Sequence, residues 1–246
     1  MNEMSTMTRK QKERQDRESR ILEVSRPVVI KEGYHGLNMD RIADAVEYSK
    51  GTIYNHFSCK EEIILALAIE TTERRTAMFH RAAAFQGRTR ERMLAIGTAA
   101  ELFVRLFPDH FMLEQIIRSA SVWEKTSESR RNVMRSCENR CMSTVGGVVR
   151  DAIASGDLDL PENVTPEDVV FGLWSISFGA FAIIVTSDQL LQLGIRDPYD
   201  AYRVNVTKMI DGFGWGPLSD EHDYDQTLSR IQNEVFPDEF AQIAGE

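Results

Sequence analysis

Residues 38–64 have the sequence NMDRIADAVEYSKGTIYNHFSCKEEII, in which apolar positions recur at helical spacing. Ile42, Ala43 and Val46 lie on one face of a first short helix. The dipeptide Glu47-Tyr48 then interrupts the pattern. The interruption predicts a tight turn between two helices.

A second and a third helix follow this turn. Ser49 is a typical N-cap residue, and Ile53 and Phe57 lie four apart on the inner face of the helix that it begins. Ser58 predicts the cap of the third helix, with Glu61 completing a capping box. Two short helices joined by a turn and supported by a third are typical of a helix-turn-helix.

The outer face of the second helix carries polar side chains. At about 100° per residue, Gly51, Thr52 and Asn55 point away from the inner face, with Tyr54 and His56 on its flanks. Glycine leaves room for close approach, and hydroxyl, amide and imidazole groups bond phosphate oxygens or base edges. This composition favours a nucleic-acid partner over bulk water.

Two lysines flank the same surface. Lys50 begins the second helix, and Lys60 lies in the first turn of the third, where backbone N–H groups already attract anions. The predicted DNA contacts are Asn38, Ser49, Lys50, Gly51, Thr52, Tyr54, Asn55, His56 and Lys60.

The run SKGTIYNHFSCKEE, residues 49–62, resembles the recognition-helix signature of the TetR family of transcriptional regulators. The similarity continues upstream through Gly33-Tyr34 and Ile42-Ala43. The resemblance implies an all-α fold: an N-terminal three-helix helix-turn-helix domain, then a C-terminal helical ligand-binding and dimerisation domain. It also implies a homodimer on a palindromic operator of double-stranded DNA, and a small-molecule effector that releases a repressor.

The sequence departs from the family pattern at two places. Val46, Glu47 and Tyr48 stand where Ala-Gly-Val is usual, so the turn is either wider or holds Glu47 in a left-handed conformation. Pro27 stands inside the first helix and is expected to bend it. Gly33 is expected to end that helix.

Charge is distributed unevenly along the 246 residues, whose formal net charge is −9. Residues 1–60 hold 11 basic and 9 acidic side chains, whereas the remainder holds 18 and 29. The positive end is the helix-turn-helix end, and an acidic body limits non-specific DNA binding. The odd set Cys59, Cys137 and Cys141 is typical of reduced thiols, and a cytoplasmic location is expected.

Helical patterns divide the chain into three parts. Residues 1–57 form the predicted helix-turn-helix domain, with residues 1–8 as a disordered arm. Residues 58–215 form the predicted body, in which Thr165-Pro166 and Asp197-Pro198 each begin a helix. Residues 216–246 form an acidic extension with a short docked helix, about which the resemblance implies nothing.

The segment Val169–Ser187 contains no charged residue. A helix that is apolar all round either spans a membrane or is deeply buried. Acidic flanks and the absence of basic ones favour burial between two subunits, so no membrane partner is expected.

No pattern of residues predicts catalysis. The sequence has no GxSxG, phosphate-loop, HExxH or CxxC motif, and its five histidines are scattered. We therefore expect no enzymatic activity, no metal site and no cofactor. His110 and Glu114, four apart, are more typical of a core or surface hydrogen bond than of a metal site.

The body is rich in aromatic residues and methionine, which are common in core packing and also line apolar ligand sites. The predicted ligand contacts are Phe103, Phe107, Phe111, Met112, Trp123, Phe171, Trp174 and Phe178. Possible polar anchors are Arg105, Glu114, Gln115, Arg118 and Ser177. The expected ligand is mainly apolar, and lipid-like molecules, aromatics and drug-like cations stay open. The competing hypothesis is a helical small-molecule-binding protein, or an enzyme, whose helix-turn-helix is only structural.

Overall fold

The computed structural model describes residues 8–117 and 120–245, which form twelve helices and no strand. The predicted all-α fold is therefore confirmed for this part of the chain. The helices are α1 (Arg9–Gly36), α2 (Met39–Val46), α3 (Lys50–His56), α4 (Lys60–Ala83), α5 (Thr89–Leu106), α6 (Pro108–Ile117), α7 (Ala120–Lys125), α8 (Glu128–Ser155), α9 (Pro166–Thr186), α10 (Pro198–Gly212), α11 (Tyr224–Glu234) and α12 (Pro237–Ala244).

Local capping chemistry places most of these helices where the sequence predicts them. Thr165 begins α9 in a capping box with Asp168, and Asp197 caps α10 by accepting hydrogen bonds from two backbone N–H groups. The cap predicted at Ser58 is wrong: α4 begins at Lys60, which places Cys59 at the N-cap position.

Thr8 and Gly33 determine where the regular part of helix α1 begins and ends. Thr8, which the sequence assigned to a disordered arm, instead caps α1 in a capping box with Gln11. The rest of that arm, residues 1–7, lies outside the described residues. Gly33 leaves the helical conformation with φ 69°, as predicted, whereas Pro27 lies inside a stretch with helical dihedral angles.

The first of two compact units consists of the described residues of Met1–Thr71 and Asp109–Arg135. It therefore extends beyond the boundary predicted at residue 57 and includes α6 and α7. Its core is continuous and apolar. The largest of its fully buried side chains are Phe57, Ile21, Leu37, Ile42, Ile53, Ile63, Ile64, Leu65 and Leu67.

The second unit consists of the described residues of Thr72–Pro108 and Ser136–Glu246. Helix α5 is at its centre and packs against α9, α11 and α12, while α10 packs along α9. Helix α9 is long and apolar enough to cross a membrane by length and composition, and only 22% of its most apolar window is buried within the single chain. A broad apolar side of α9 is therefore left on the surface of this unit.

The C-terminal extension is part of the second unit and contains two helices, α11 and α12, where the sequence predicted one. Trp215, Ile231 and Phe236 are completely buried. Trp215, which directly precedes the extension, and the extension itself both bond to the first turn of α5: Trp215 Nε1 donates to Thr89 Oγ1 at 3.0 Å, and Thr227 Oγ1 donates to Glu91 Oε1 at 2.9 Å. The extension therefore completes the core of this unit.

Candidate nucleic-acid interface and effector cavity

The turn between α2 and α3 is tight despite its missing glycine. Glu47 adopts φ 58° and ψ 36°, the left-handed conformation that was one of the two predicted outcomes. The N–H of Tyr48 then donates to the carbonyl of Ala43 at 3.0 Å, which closes the end of α2. A non-glycine residue in this conformation costs about 1 kcal/mol, which the packing of the two helices must offset.

Side-chain caps fix the start of each helix of the motif. Asn38 Oδ1 accepts the N–H of Asp40 at 2.8 Å, and Ser49 Oγ accepts the N–H of Thr52 at 3.1 Å. The Ser49 and Thr52 hydroxyls also lie 2.8 Å apart. Asn38, Ser49 and Thr52 are therefore engaged in capping, and their polar groups lie at the helix starts where a phosphate would approach.

The outer face of α3 is open. Tyr54 is 50% exposed, and Lys50, Gly51 and Asn55 are exposed beside it. A Cβ built on Gly51 would meet only Ser49 Oγ, at 3.8 Å, so the fold itself does not require glycine there. Lys50 Nζ lies 2.6 Å from Asp40 Oδ2, but this exposed pair contributes little and is easily exchanged for a phosphate.

His56 does not belong to this outer face. Its side chain is 7% exposed, and its Nδ1 lies 3.2 Å from Glu18 Oε1 in α1. The predicted DNA contact at His56 is thus corrected: the imidazole joins α3 to α1. Helical spacing placed His56 on a flank of α3 but could not show whether that flank faces solvent or packs against α1.

Lys60 lies at the start of α4, beside the end of α1. Its Nζ donates to the carbonyl of Tyr34 at 3.1 Å and lies 4.1 Å from the centre of the Tyr34 ring. An ammonium group has three donors, so this arrangement leaves donors for a phosphate. The side chain is held at a helix N-terminus, where an anion is already favoured.

Two buried carboxylates follow Lys60 and hold the first unit together. Glu61 accepts hydrogen bonds from the Tyr34 hydroxyl and from Lys125 Nζ, the latter at 3.2 Å. Glu62 accepts from the backbone N–H of Ser127 and from Arg130 Nε. The Arg130 guanidinium lies 4.9 Å from the centre of the Phe57 ring, directly after α3. These contacts fix the position of α3 from its inner, buried side.

The Glu61 network predicts an acid-sensitive first unit. Burial alone would raise the pKa of Glu61, but hydrogen bonds from Tyr34, its own backbone N–H and Lys125 hold it at about 2. Because the folded pKa is depressed, the stabilisation is present above about pH 4.5 and is lost as the pH falls towards 2, by roughly 2–3 kcal/mol. We expect Glu61→Gln to flatten the pH dependence of the free energy of unfolding across this range, measured by urea titration. Parallel curves for variant and wild type would contradict the assignment.

An apolar cavity of about 80 Å³ lies inside the second unit. Its walls come from α4, α5, α8, α9 and α10, and none of the lining residues is charged. The lining consists of Phe79, Met93, Ile96, Gly97, Ala100, Met142, Val145, Val170, Leu173, Trp174, Ser177, Tyr202 and Val206. Ligand sites usually measure about 300–1,000 Å³, so a ligand must displace flexible side chains such as the methionines.

The structure does not bring the eight predicted ligand contacts together. Trp174 lines the cavity, but Phe171, on the same helix, is 62% exposed. Six more predicted contacts do not line the cavity. Phe103 of α5 packs on Phe107, the residue after that helix, and Phe178 lies on α9. Phe111, Met112 and Trp123 belong to the first unit. The predicted cavity position is therefore corrected.

Of the four possible polar anchors that the structure describes, only Ser177 lines the cavity; the fifth, Arg118, lies outside the described residues. Sequence reasoning missed Gly97 and Tyr202. A glycine within the apolar helix α5 was the available signal for Gly97. His110 Nδ1 lies 3.1 Å from Thr71 Oγ1 within the first unit, which agrees with the core hydrogen bond expected of it.

The exposed side of α9 and α10 forms a second apolar surface, called here the α9–α10 face. It includes Phe171, Trp174 and Ile183 of α9 and Val204 of α10, all exposed on the single chain. Phe171 and Trp174 stack edge to face with ring centres 6.1 Å apart. Large contiguous apolar patches of this kind mark interaction sites.

Comparison with known proteins places the helix-turn-helix in a family. A profile described as bacterial regulatory proteins of the tetR family matches residues 21–67. The HTH-type transcriptional regulator UidR of Escherichia coli (strain K12) is 36% identical over 73 residues, which are 30% of this chain and 37% of that protein. The HTH-type transcriptional activator FasR of Mycolicibacterium smegmatis is 41% identical over 54 residues, 22% of this chain and 25% of that protein.

These alignments span well under half the length of the relatives. Similarity of fold extends further. A tetR-family bacterial regulatory protein from Rhodococcus RHA1 superposes with a TM-score of 0.62 at 16% identity, covering 81% of this chain and 97% of that one. These relatives are named as regulators of transcription.

Proposed function

We propose that this chain is a DNA-binding transcriptional regulator of the TetR family, a proposal supported by the family profile over residues 21–67, by the curated relatives and by the similarity of fold. The observation that carries the proposal is the outer face of α3, where Lys50, Gly51, Tyr54 and Asn55 are exposed above a fully packed inner face. Nothing in the packing of the first unit requires these side chains on this surface.

Helix α3 is proposed to enter the major groove of double-stranded DNA, as the second helix of such motifs does. Asn55 is placed to bond a base edge, and Gly51 lets the helix backbone approach closely. Tyr54 and Lys60 are proposed to contact phosphates, and Thr52 to lie against the DNA backbone. The caps Asn38 and Ser49 present their helix N-termini to the same strand.

The proposed assembly is a homodimer formed through the α9–α10 face. Phe171, Trp174 and Ile183 leave apolar surface on the single chain, and a two-fold partner would bury it. A two-fold dimer presents two copies of α3, so the proposed operator is palindromic, with half-sites about 34–36 Å apart or a multiple of this spacing.

The proposed effector is a mainly apolar small molecule held in the cavity of the second unit. It can act only if it binds one conformation of the dimer more tightly than the other. A ligand larger than the cavity must enlarge it, so the ligand binds more tightly to the conformation of the dimer in which the cavity is already wider. An effector that releases DNA should bind the free dimer more tightly than the operator complex by the same factor.

Repression is proposed as the default action, because a protein seated on an operator blocks access to it. The alternative is activation of transcription, since the relative FasR is named as an activator. Transcription from the target promoter with and without the protein decides between them. The site of action is the bacterial cytoplasm, where the DNA is, and no membrane partner is proposed.

Alanine variants of Tyr54 and Lys60 test the DNA surface. Each should weaken binding to all sequences, and Lys60→Ala should reduce the slope of log K against log[salt] by about one unit. Binding is measured by fluorescence anisotropy on DNA from upstream of the protein's own gene. Arg150→Ala, which removes an exposed charge from α8 in the second unit, is the matched control.

If the Tyr54→Ala and Lys60→Ala proteins both keep wild-type affinity and salt dependence, the proposed phosphate contacts are refuted. Failure of the wild-type protein to shift any of its upstream DNA would instead favour a small-molecule-binding protein whose helix-turn-helix is only structural.

A further inference from the structure

The cavity of the second unit contains one hydrogen-bonded pair, Ser177 of α9 and Tyr202 of α10. Ser177 Oγ lies 2.7 Å from the carbonyl oxygen of Leu173 and 3.0 Å from Tyr202 Oη. A carbonyl oxygen carries no hydrogen, so Ser177 must donate its only proton to Leu173. The phenol of Tyr202 therefore donates its own proton to Ser177.

This assignment leaves Tyr202 as an acceptor. Its oxygen keeps lone-pair capacity after donating, and the space beside it is open on the side of α5. A Cβ built on Gly97 would lie 3.8 Å from Tyr202 Oη and would meet nothing closer. Burial raises the pKa of Tyr202 to about 12, so the phenol stays neutral at physiological pH.

No charged side chain lines this cavity. A smaller cavity of about 60 Å³, which shares Tyr202 in its lining, has three charged residues in its walls: Arg90, Glu101 and Arg203. Each is paired within the protein, since Arg203 Nη1 donates to both oxygens of Glu101 at 2.8 and 2.9 Å, and Arg90 Nη2 donates to Asp211 Oδ1 at 2.6 Å. A charged ligand would therefore lose its hydration without gaining a partner.

We infer that the molecule bound in this cavity is uncharged and mainly apolar, and that it donates one hydrogen bond to the phenol oxygen of Tyr202. An aliphatic alcohol has this chemistry, whereas a carboxylate, a quaternary ammonium ion and an ether lack it. Met93, which lines both cavities, is flexible and can move to admit a chain longer than either. The inference rests on the proposed function in one respect only: that function makes the molecule bound in this cavity the effector.

Four probes with the same alkyl chain test the inference on the full-length protein by calorimetric titration: 1-octanol, 1-methoxyoctane, octanoate and octyltrimethylammonium. Octanol should bind about tenfold more tightly than the ether, because only octanol donates a hydrogen bond to Tyr202. Both charged probes should bind more weakly than octanol. A tighter charged probe, equal affinities for octanol and the ether, or no binding of any probe at about 1 mM would overturn the inference.

Three variants locate the contact. Tyr202→Phe should abolish the preference for octanol over the ether, and Tyr199→Phe, on the same helix but outside the cavity lining, should retain it. Gly97→Ala should weaken octanol binding by filling the space beside Tyr202 Oη. It should also raise the melting temperature, because alanine favours the helix over glycine. A Tyr202→Phe protein that keeps the full preference would overturn the assignment.

DNA binding by the same preparations separates this inference from the proposed function. A protein that binds its upstream DNA but prefers a charged probe overturns the inference alone. A protein that shows the octanol preference but binds no DNA supports the inference and removes the proposed regulatory function.

Discussion

Phe171→Asp and Ile183→Asp should each convert the protein from a dimer to a folded monomer and abolish operator binding. Both side chains are exposed on the single chain, at 62% and 55%, so neither substitution disturbs the core of the second unit. In a dimer formed through the α9–α10 face, the new carboxylate would be dry and unpaired. The dimer dissociation constant should rise at least about a thousandfold.

Sedimentation equilibrium at micromolar concentration measures this change, with circular dichroism to confirm that helices are retained. Ile153→Asp is the matched control, since Ile153 is a partly exposed apolar residue on α8. A wild-type protein that sediments as a monomer, or Phe171→Asp and Ile183→Asp proteins that remain dimers with intact DNA binding, would refute the proposed interface.

Trp215→Ala should destabilise the second unit by about 3–5 kcal/mol, the usual cost of removing a fully buried large aromatic side chain. The indole is completely buried, and its Nε1 donates to Thr89 Oγ1, so the variant leaves a void and removes one hydrogen bond, while the Thr89 hydroxyl keeps its own bond to Asp157 Oδ2 at 2.6 Å. Arg90 Nη1 also donates to the carbonyl of residue 215, at 2.6 Å, and this backbone contact survives the substitution.

Denaturant unfolding measures the loss, and Trp215→Phe separates its two causes. The phenylalanine variant keeps most of the apolar contact but lacks the indole N–H, so it should lose only about 1–2 kcal/mol. Gln242→Ala, an exposed change on α12, should leave the free energy of unfolding unchanged. A Trp215→Ala protein as stable as wild type would mean that Trp215 contributes little to the core of the second unit.

Local chemistry explains why the helix-turn-helix was predictable. Asn38 and Ser49 cap helices through bonds to residues two or three positions away, and Glu47 takes the left-handed conformation at the turn position where glycine is usual, which was one of the two predicted outcomes. Such effects depend on neighbours in sequence, which helical spacing and capping rules describe well. The same rules placed the starts of α9 and α10.

Contacts between distant residues explain what the sequence could not predict. His56 turns inward because of Glu18, 38 residues earlier in the chain, and no periodicity encodes that partner. Phe103 and Phe171 both fit a ligand-site composition, yet one is buried in the core and the other is exposed. The cavity instead depends on Gly97 and Tyr202, whose importance comes from helix packing. The second helix of the extension escaped prediction because distant residues hold it: it packs against α5, and Arg81 of α4 donates to Glu239.

The docked extension also sets an order of events during synthesis of the chain. The first unit contains no residue beyond Arg135, so all of its residues have been synthesised while the ribosome is still translating the remainder. Helix α5 receives its last cover, from Trp215 to Phe236, only when the final part of the chain emerges. A chain that ends before Trp215 would therefore contain every residue of the first unit but lack the residues that cover α5 in the second.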